Sequence, residues 1–441
     1  MKSLPFFSGS PARIGLIALP GQSITGSMDS PWLEWTVCAL AVALAAVSYR
    51  RGRWGFVLGL LVIVTAWLLG SAKWFYLPLA LGYLALLGRR KPLGIMVVCG
   101  GALASAFLCW LFPVPKSSSL AGSFAVGSET VELPADGKSS ALVAQIWYPG
   151  IADLNAPTTS WLPDPSLAPR FPFHRIRHAV SRSQAGLELA GGGKKLPVIF
   201  YEHSWTGHRA ENVVQVEDLA SQGFVVIAVD HPGQAARVKY RDGSVIVSRL
   251  PAALDFSTEQ AVAEFEKLAE QCLLERIGNL SRIKNALTNG SISRFAGKLE
   301  LDGAGVFGFS FGGTCALRLC AHDPFFSAGA NEDGYALGDE PPRGPFLFFD
   351  QEMPEWLLKP AGPDEGPGEA LTRRSEDRIL RAMTGPDRSR VIVDGARHES
   401  FSDGIYGCRV PKIVHAGTRP AAEVHQMLAT RLGEFFKREL H

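Results

Sequence analysis

The sequence predicts a mostly parallel α/β domain, a central sheet flanked by helices, preceded by a bundle of about four membrane-length helices. Two observations carry this. Composition changes abruptly: from 32 to 112 nearly every residue is apolar apart from short Arg/Lys clusters, whereas beyond 112 charged, polar and turn residues return at ordinary globular frequency. Past that boundary, short runs rich in β-branched residues alternate with helical patterns, as in parallel strands joined by crossover helices.

Residues 1–31 read as a disordered lead-in. The apolar run 14–19 is broken by Pro20 and is too short for a secretory signal, and Met28 is an alternative start. Charges then cut four apolar stretches, 32–49, 54–72, 74–88 and 92–112, each set against the roughly 20 residues that a bilayer requires. The third is short, which leaves three spanning helices as the alternative. Arg50, Arg51 and Arg53 follow the first stretch, and Arg89, Arg90 and Lys91 the third; the positive-inside rule puts both loops in the cytoplasm. Four helices then place the globular domain outside a plasma or inner membrane, and three place it in the cytoplasm. Residues 113–121 form a linker to a domain over 122–441.

Within that domain, 141–148 (ALVAQIWY) alternates as a strand, and the Pro-rich stretch 156–173, with no period, reads as a loop or lid. The runs 196–201 and 224–229 bracket a helix over 213–221, and further strands are expected at 305–309, 346–349 and 390–393. A long amphipathic helix over 256–287 opens with a capping box of Ser257 and Gln260 and carries Ala261, Phe265, Leu268 and Cys272 on one face. A net charge of +2 gives no basic stripe, so no nucleic-acid partner is expected. The seven cysteines lack CxxC spacing, no His/Cys/Asp/Glu cluster has metal-ligand spacing, and Gly191-Gly192-Gly193 lacks the Lys-Ser/Thr of a phosphate cradle. No cofactor or metal is expected.

The chemistry centres on Gly308-Phe309-Ser310-Phe311-Gly312. An apolar strand precedes it and a small-residue helix start follows, the strand–turn–helix setting of a nucleophilic serine in an α/β-hydrolase fold. The residues two places either side of Ser310 must be small so that the strand and helix backbones can pass. A serine nucleophile needs a base later in the chain. His398, just beyond the strand 390–393, is best placed; His415 is a reserve, and His425 and His441 read as surface residues. Glu332, Asp333, Asp339 and Asp350 all stand near strand ends, and the pattern leaves Asp333 and Asp350 both open as the acid. The amide after the nucleophile, Phe311, is one oxyanion donor.

Several stretches carry a family resemblance: QIWYPG at 145–150, LPVIFYEHSWTGHR at 196–209, DLASQGFVVIAVDH at 218–231, GVFGFSFGG at 305–313, LGDE at 337–340 and ARHESFSD at 396–403. In order and spacing, 142–398 resembles the plasma and intracellular type II platelet-activating factor acetylhydrolases and their bacterial relatives. The resemblance implies Asp333 as the acid and Trp205 as the second oxyanion donor. Here His203-Ser204 stands where relatives carry His-Gly, and Phe309 where histidine is common. It further implies a serine carboxylic ester hydrolase that cleaves short or oxidised sn-2 acyl chains of phospholipids through Ser310, Asp333 and His398, and the apolar stretches 32–112 add the expectation of a membrane anchor. The alternatives are a general carboxylesterase on small or polymeric esters and a non-catalytic membrane receptor on a hydrolase fold.

Overall fold

The structure, a computed structural model, describes residues 31–440 except 52, 70–72, 87–90, 117–118 and 138. The lead-in up to residue 30, Arg89, Arg90 and His441 therefore lie outside the described residues. Helices α1 (Pro31–Arg51), α2 (Arg53–Leu69), α3 (Leu77–Ala85) and α4 (Lys91–Leu111) come first. The sheet domain follows with β1 (Ala125–Leu133), β2 (Leu142–Gly150), β3 (Thr158–Ser160), β4 (Val180–Ala185), β5 (Val198–Glu202), α5 (Val213–Ser221) and β6 (Val225–Asp230). A small hairpin, β7 (Arg237–Lys239) and β8 (Val245–Val247), precedes α6 (Glu259–Thr288), β9 (Ala304–Phe309) and α7 (Phe311–His322). The chain closes with β10 (Phe326–Glu332), β11 (Phe346–Gln351), α8 (Pro367–Ala382), β12 (Arg388–Val393) and α9 (Ala421–Glu439).

The main sheet runs β12-β11-β10-β9-β5-β6-β2-β1-β4-β3, parallel from β12 to β6 and antiparallel at β6–β2–β1. Every residue of β5, β6 and β9 is buried, because helices cover both faces. Val198, Phe200, Val306, Phe346 and Phe348 pack with residues of α6, α7 and α8. Ile199, Tyr201, Phe307, Phe309 and Phe349 turn the other way, toward α5 and α9. After β5 the chain crosses by α5 to β6; it then re-enters on the other side of β5 as β9 and builds outward to β12. The order therefore reverses between β5 and β9, and the crevice at their C-terminal ends is where such sheets place ligands.

Two expectations shift. The cap of α6 is Thr258, one residue later than expected, whose Oγ1 accepts from Ala261 N at 3.1 Å; Ser257 lies in the preceding turn, its N–H donating to Asp255 Oδ1 at 2.9 Å. The stretch expected as a loop or lid is a packed strap: Trp161 and Leu162 are buried, and the turn over Phe173–His178 docks on the helices.

The apolar segment forms four helices, but among the described residues only Pro92–Leu111 is long and apolar enough to cross a bilayer, against four expected spans. The reason is local. A 3-10 turn at Lys73–Tyr76 with Pro78 behind it leaves α3 nine residues, about 14 Å at 1.5 Å per residue. Among the described residues, the apolar lengths within α1 and α2 are Glu34–Ser48 and Trp54–Leu68. The block is clamped to the domain at the N-terminal end of α1 and the C-terminal end of α4. Buried Arg175 donates to Glu34 and to the Phe112 and Cys109 carbonyls, at 2.9 and 3.2 Å. Arg409 N and Nε donate to Leu111 O and Trp110 O at 2.9 and 2.8 Å.

Removing one partner of a buried ion pair strands the other charge, a loss of about 3–5 kcal/mol. Glu34→Ala is therefore expected to lower the unfolding temperature of the detergent-solubilised chain markedly, and Glu34→Ala/Arg175→Met to recover most of it. A double variant no more stable than the single one would contradict this pairing.

Candidate active site

Ser310 sits between β9 and α7 with φ 56° and ψ −120°, a conformation that a non-glycine residue occupies only under constraint. Its N–H donates to Glu332 O at 2.8 Å. A Cβ at residue 312 would stand 1.9 Å from Glu202 O, and one at 308 would stand 2.4 Å from the Gly312 carbonyl carbon. The backbones of β5, β9 and α7 are thus in contact, which is why both flanking positions are glycine.

The acid turn is built against the same elbow. Glu332 pairs in register with Phe309, so the next residue, Asp333, emerges beside Ser310. Asp333 takes φ 57°, with its N–H on Phe349 O at 2.7 Å. Asn331 closes the turn by exchanging two 2.8 Å hydrogen bonds with the Gly334 backbone. Gln351 donates to both Asp333 oxygens, from N at 2.8 Å and from Nε2 at 3.0 Å.

The other carboxylates are engaged elsewhere. Asp350 accepts from Arg390 Nε at 2.8 Å, and burial pushes its carboxyl up to about 7. Asp339 lies exposed beside Arg378 and Arg381. Glu332 is buried by Asn212, and that burial holds its carboxyl well above the usual range.

His398 bridges the two turns. Its Nδ1–H donates to Asp333 Oδ2 at 2.6 Å, and its Nε2 stands 3.0 Å from Ser310 Oγ, placed to accept the hydroxyl proton. Phe309 packs against the imidazole with ring centroids 4.8 Å apart. Burial disfavours the imidazolium, but the Asp333 hydrogen bond and charge outweigh it, so the pKa is raised from its ordinary value. The loop is fixed by Ser400, whose Oγ accepts from Arg397 N at 3.0 Å and whose carbonyl accepts from His425 Nε2 at 3.1 Å. His425, expected at the surface, is fully buried and organises this loop, sharing the buried face of α9 with Leu428, Ala429 and Leu432. His415 ends a short turn in the left-handed region, away from these partners.

Trp205 and Phe311 face each other across the β5–β9 crevice, rings edge-to-face at 5.0 Å. Neither backbone N–H has an acceptor among the described residues. Ser204, standing where glycine is usual, keeps a negative φ and gives its N–H and Oγ–H to Glu211 at 2.8 and 2.6 Å.

A raised His398 pKa means that its contribution to stability is complete below the unfolded value of about 6.5 and is lost as pH rises through the higher folded value. Imidazole NMR titration of the full chain is expected to place His398 above 6.5, and Asp333→Asn to lower it, because burial is then opposed only by the weaker charges of Glu399 and Glu211. An unchanged titration in the variant would contradict the coupling.

The family model described as platelet-activating factor acetylhydrolase, isoform II, matches residues 112–340, which include Ser310 and Asp333. The platelet-activating factor acetylhydrolase of Cavia porcellus is 27% identical over 226 residues, covering 48% of this chain and 49% of that protein. That of Canis lupus familiaris is 22% identical over 231 residues, with the same shares. The chain thus spans about half the length of the curated relatives it matches. A solved ferulic acid esterase from Streptomyces cinnamoneus shares the fold, with a TM-score of 0.57 at 19% identity over 74% of this chain and 94% of that one. With the family model matching more than half of its length, this chain belongs to the platelet-activating factor acetylhydrolase isoform II family.

Proposed function

We propose that this protein is a membrane-anchored serine hydrolase of carboxylic esters that uses Ser310 as nucleophile, His398 as general base and Asp333 as its orienting acid. The observation that carries the reading is the bridging imidazole, 3.0 Å from Ser310 Oγ and 2.6 Å from Asp333 Oδ2, on an elbow held at positive φ. As Ser310 Oγ bonds to the ester carbonyl carbon, His398 Nε2 takes its proton and the Phe311 and Trp205 amides meet the oxyanion. Collapse expels the alcohol, which takes that proton, leaving an acyl-serine. Water, deprotonated by the same nitrogen, attacks the acyl carbon; the acid departs and Ser310 recovers its proton.

The substrate class is a phospholipid with a short or oxidised sn-2 acyl chain. Family membership supports it, and so does a lipid-facing helical block. Leu58, Leu61, Leu68, Met96 and Leu103 stand exposed on these helices, an apolar band that water disfavours and a bilayer accepts. In this reading Pro92–Leu111 spans the bilayer. The basic positions at the Arg51 end of α1 and the Lys91 start of α4 lie opposite the clamp, and by the positive-inside rule this supports an extracytoplasmic catalytic domain.

The full chain in detergent is expected to hydrolyse p-nitrophenyl acetate faster than the palmitate. Ser310→Ala should cut kcat by roughly 10⁴-fold or more, and Asp333→Asn by about 10⁴-fold. Equal rates on short- and long-chain sn-2 phospholipids would replace the substrate class with a general carboxylesterase. A folded chain inactive on every ester would favour a receptor. Protease protection of the domain in sealed right-side-out vesicles would contradict the assigned side.

A further inference from the structure

Arg276, on α6, is fully buried and takes no part in the proton relay. Its Nη1 donates to His203 O at 2.6 Å, its Nη2 to Ser204 O at 3.0 Å and its Nε to Gln234 Oε1 at 2.9 Å. The guanidinium also lies over the Phe311 ring, 4.8 Å from its centroid. Its counter-charge is Glu202, at 3.5 Å, whose carboxylate also accepts from His231 Nε2 at 2.9 Å. His231 is held in that tautomer by Asn279 Nδ2, which donates to its Nδ1 at 3.2 Å.

On the other side of the loop stands Glu211. Taken peptide by peptide, the loop is almost fully tied. The peptide joining 203 to 204 gives its carbonyl to Arg276 and its N–H to Glu211. The next, joining 204 to 205, gives its carbonyl to Arg276 and to His203 Nδ1–H at 2.8 Å. A trans peptide points its C=O and N–H in opposite directions, so the Trp205 N–H is turned away from the guanidinium. Of these four backbone groups, this N–H alone has no partner among the described residues.

We propose that Arg276, with Glu211 as the opposing anchor on Ser204, is the positioning residue of the oxyanion hole, fixing the peptide that presents the Trp205 N–H and bracing Phe311. The proposal rests on the ester-hydrolase reading. A cation on the carbonyl end of a peptide also polarises the N–H at its other end. The planar fork of arginine reaches two adjacent carbonyls at once; a lysine ammonium is a point charge on a flexible stem. The anchor also accounts for serine at 204, because Glu211 takes the hydroxyl as well as the N–H and no positive φ is required.

The test uses the full chain in detergent with Arg276→Lys and Glu211→Gln, each checked for folding by circular dichroism. Hydrolysis of p-nitrophenyl acetate and affinity for a trifluoromethyl ketone, which forms a tetrahedral adduct with the serine, are measured together. In Arg276→Lys, kcat is expected to fall by about 10²–10³, the usual effect of losing one oxyanion donor, with KM within a few-fold. Ketone affinity should fall by the same factor as kcat/KM. Glu211→Gln should lose about 10-fold in the same pattern, and it decides the matter if Arg276→Lys does not fold. A folded Glu211→Gln or Arg276→Lys with wild-type kcat, or a loss of kcat with ketone affinity retained, would overturn the proposal. A wild-type chain inactive on the ester is a separate outcome that sinks the hydrolase reading first.

Discussion

The contact of three backbones at Ser310 is the constraint on which the rest of the site depends. The C-terminal ends of β5 and β9 and the first turn of α7 approach so closely that a single methyl at residue 312 would overlap the Glu202 carbonyl. A serine at positive φ costs of order 1–3 kcal/mol, and the surroundings hold it there: the Ser310 N–H is tied to Glu332 O, and residue 334 must be glycine because a Cβ would stand 2.0 Å from Ser310 O. The same register delivers Asp333, and Asp333 delivers the tautomer of His398. One β9–β10 alignment thus brings Ser310 and Asp333 side by side, and the Asp333 hydrogen bond orients His398 from its own loop.

The loop that carries His398 does not end at the site. From His398 the chain runs through buried Phe401 and Asp403 to Cys408, which packs with the helical block, and to Arg409, which caps the last carbonyls of α4. A short, continuous run of packed residues therefore joins the imidazole to the C-terminal end of α4. The strap carrying Arg175 makes a second, parallel contact with the same helix end. In the membrane reading, these two contacts fix the crevice relative to the lipid surface from which an sn-2 ester would enter.

Much of this was legible in the sequence because the signals are local. The G-x-S-x-G glycines report a backbone contact, the β-branched runs report strands buried on both faces, and helix α5 falls over 213–221 as its pattern implies. The strand β10, FSAGANE, was not legible: it is buried by position between β9 and β11, so small residues serve and no β-branched run marks it. The choice between Asp333 and Asp350 could not come from pattern either, since both follow strands. It depends on Gln351 reaching Asp333 and Arg390 reaching Asp350, contacts across 18 and 40 residues that only the fold makes. Arg276 and Glu211 escaped for the same reason, being 73 and 7 residues from the groups they hold. The helical block went astray at one point: hydropathy counts apolar residues but does not register a 3-10 turn and a proline that cut a stretch short.

The central claim is an acyl-enzyme at Ser310 formed with His398 as base. Intact-mass analysis of the full chain quenched during turnover of a slow ester, followed by peptide mapping, tests it most directly. The account predicts one acyl group per chain, on the peptide containing Ser310, and none in His398→Ala. Turnover without a covalent adduct, or an adduct on another residue, would contradict it.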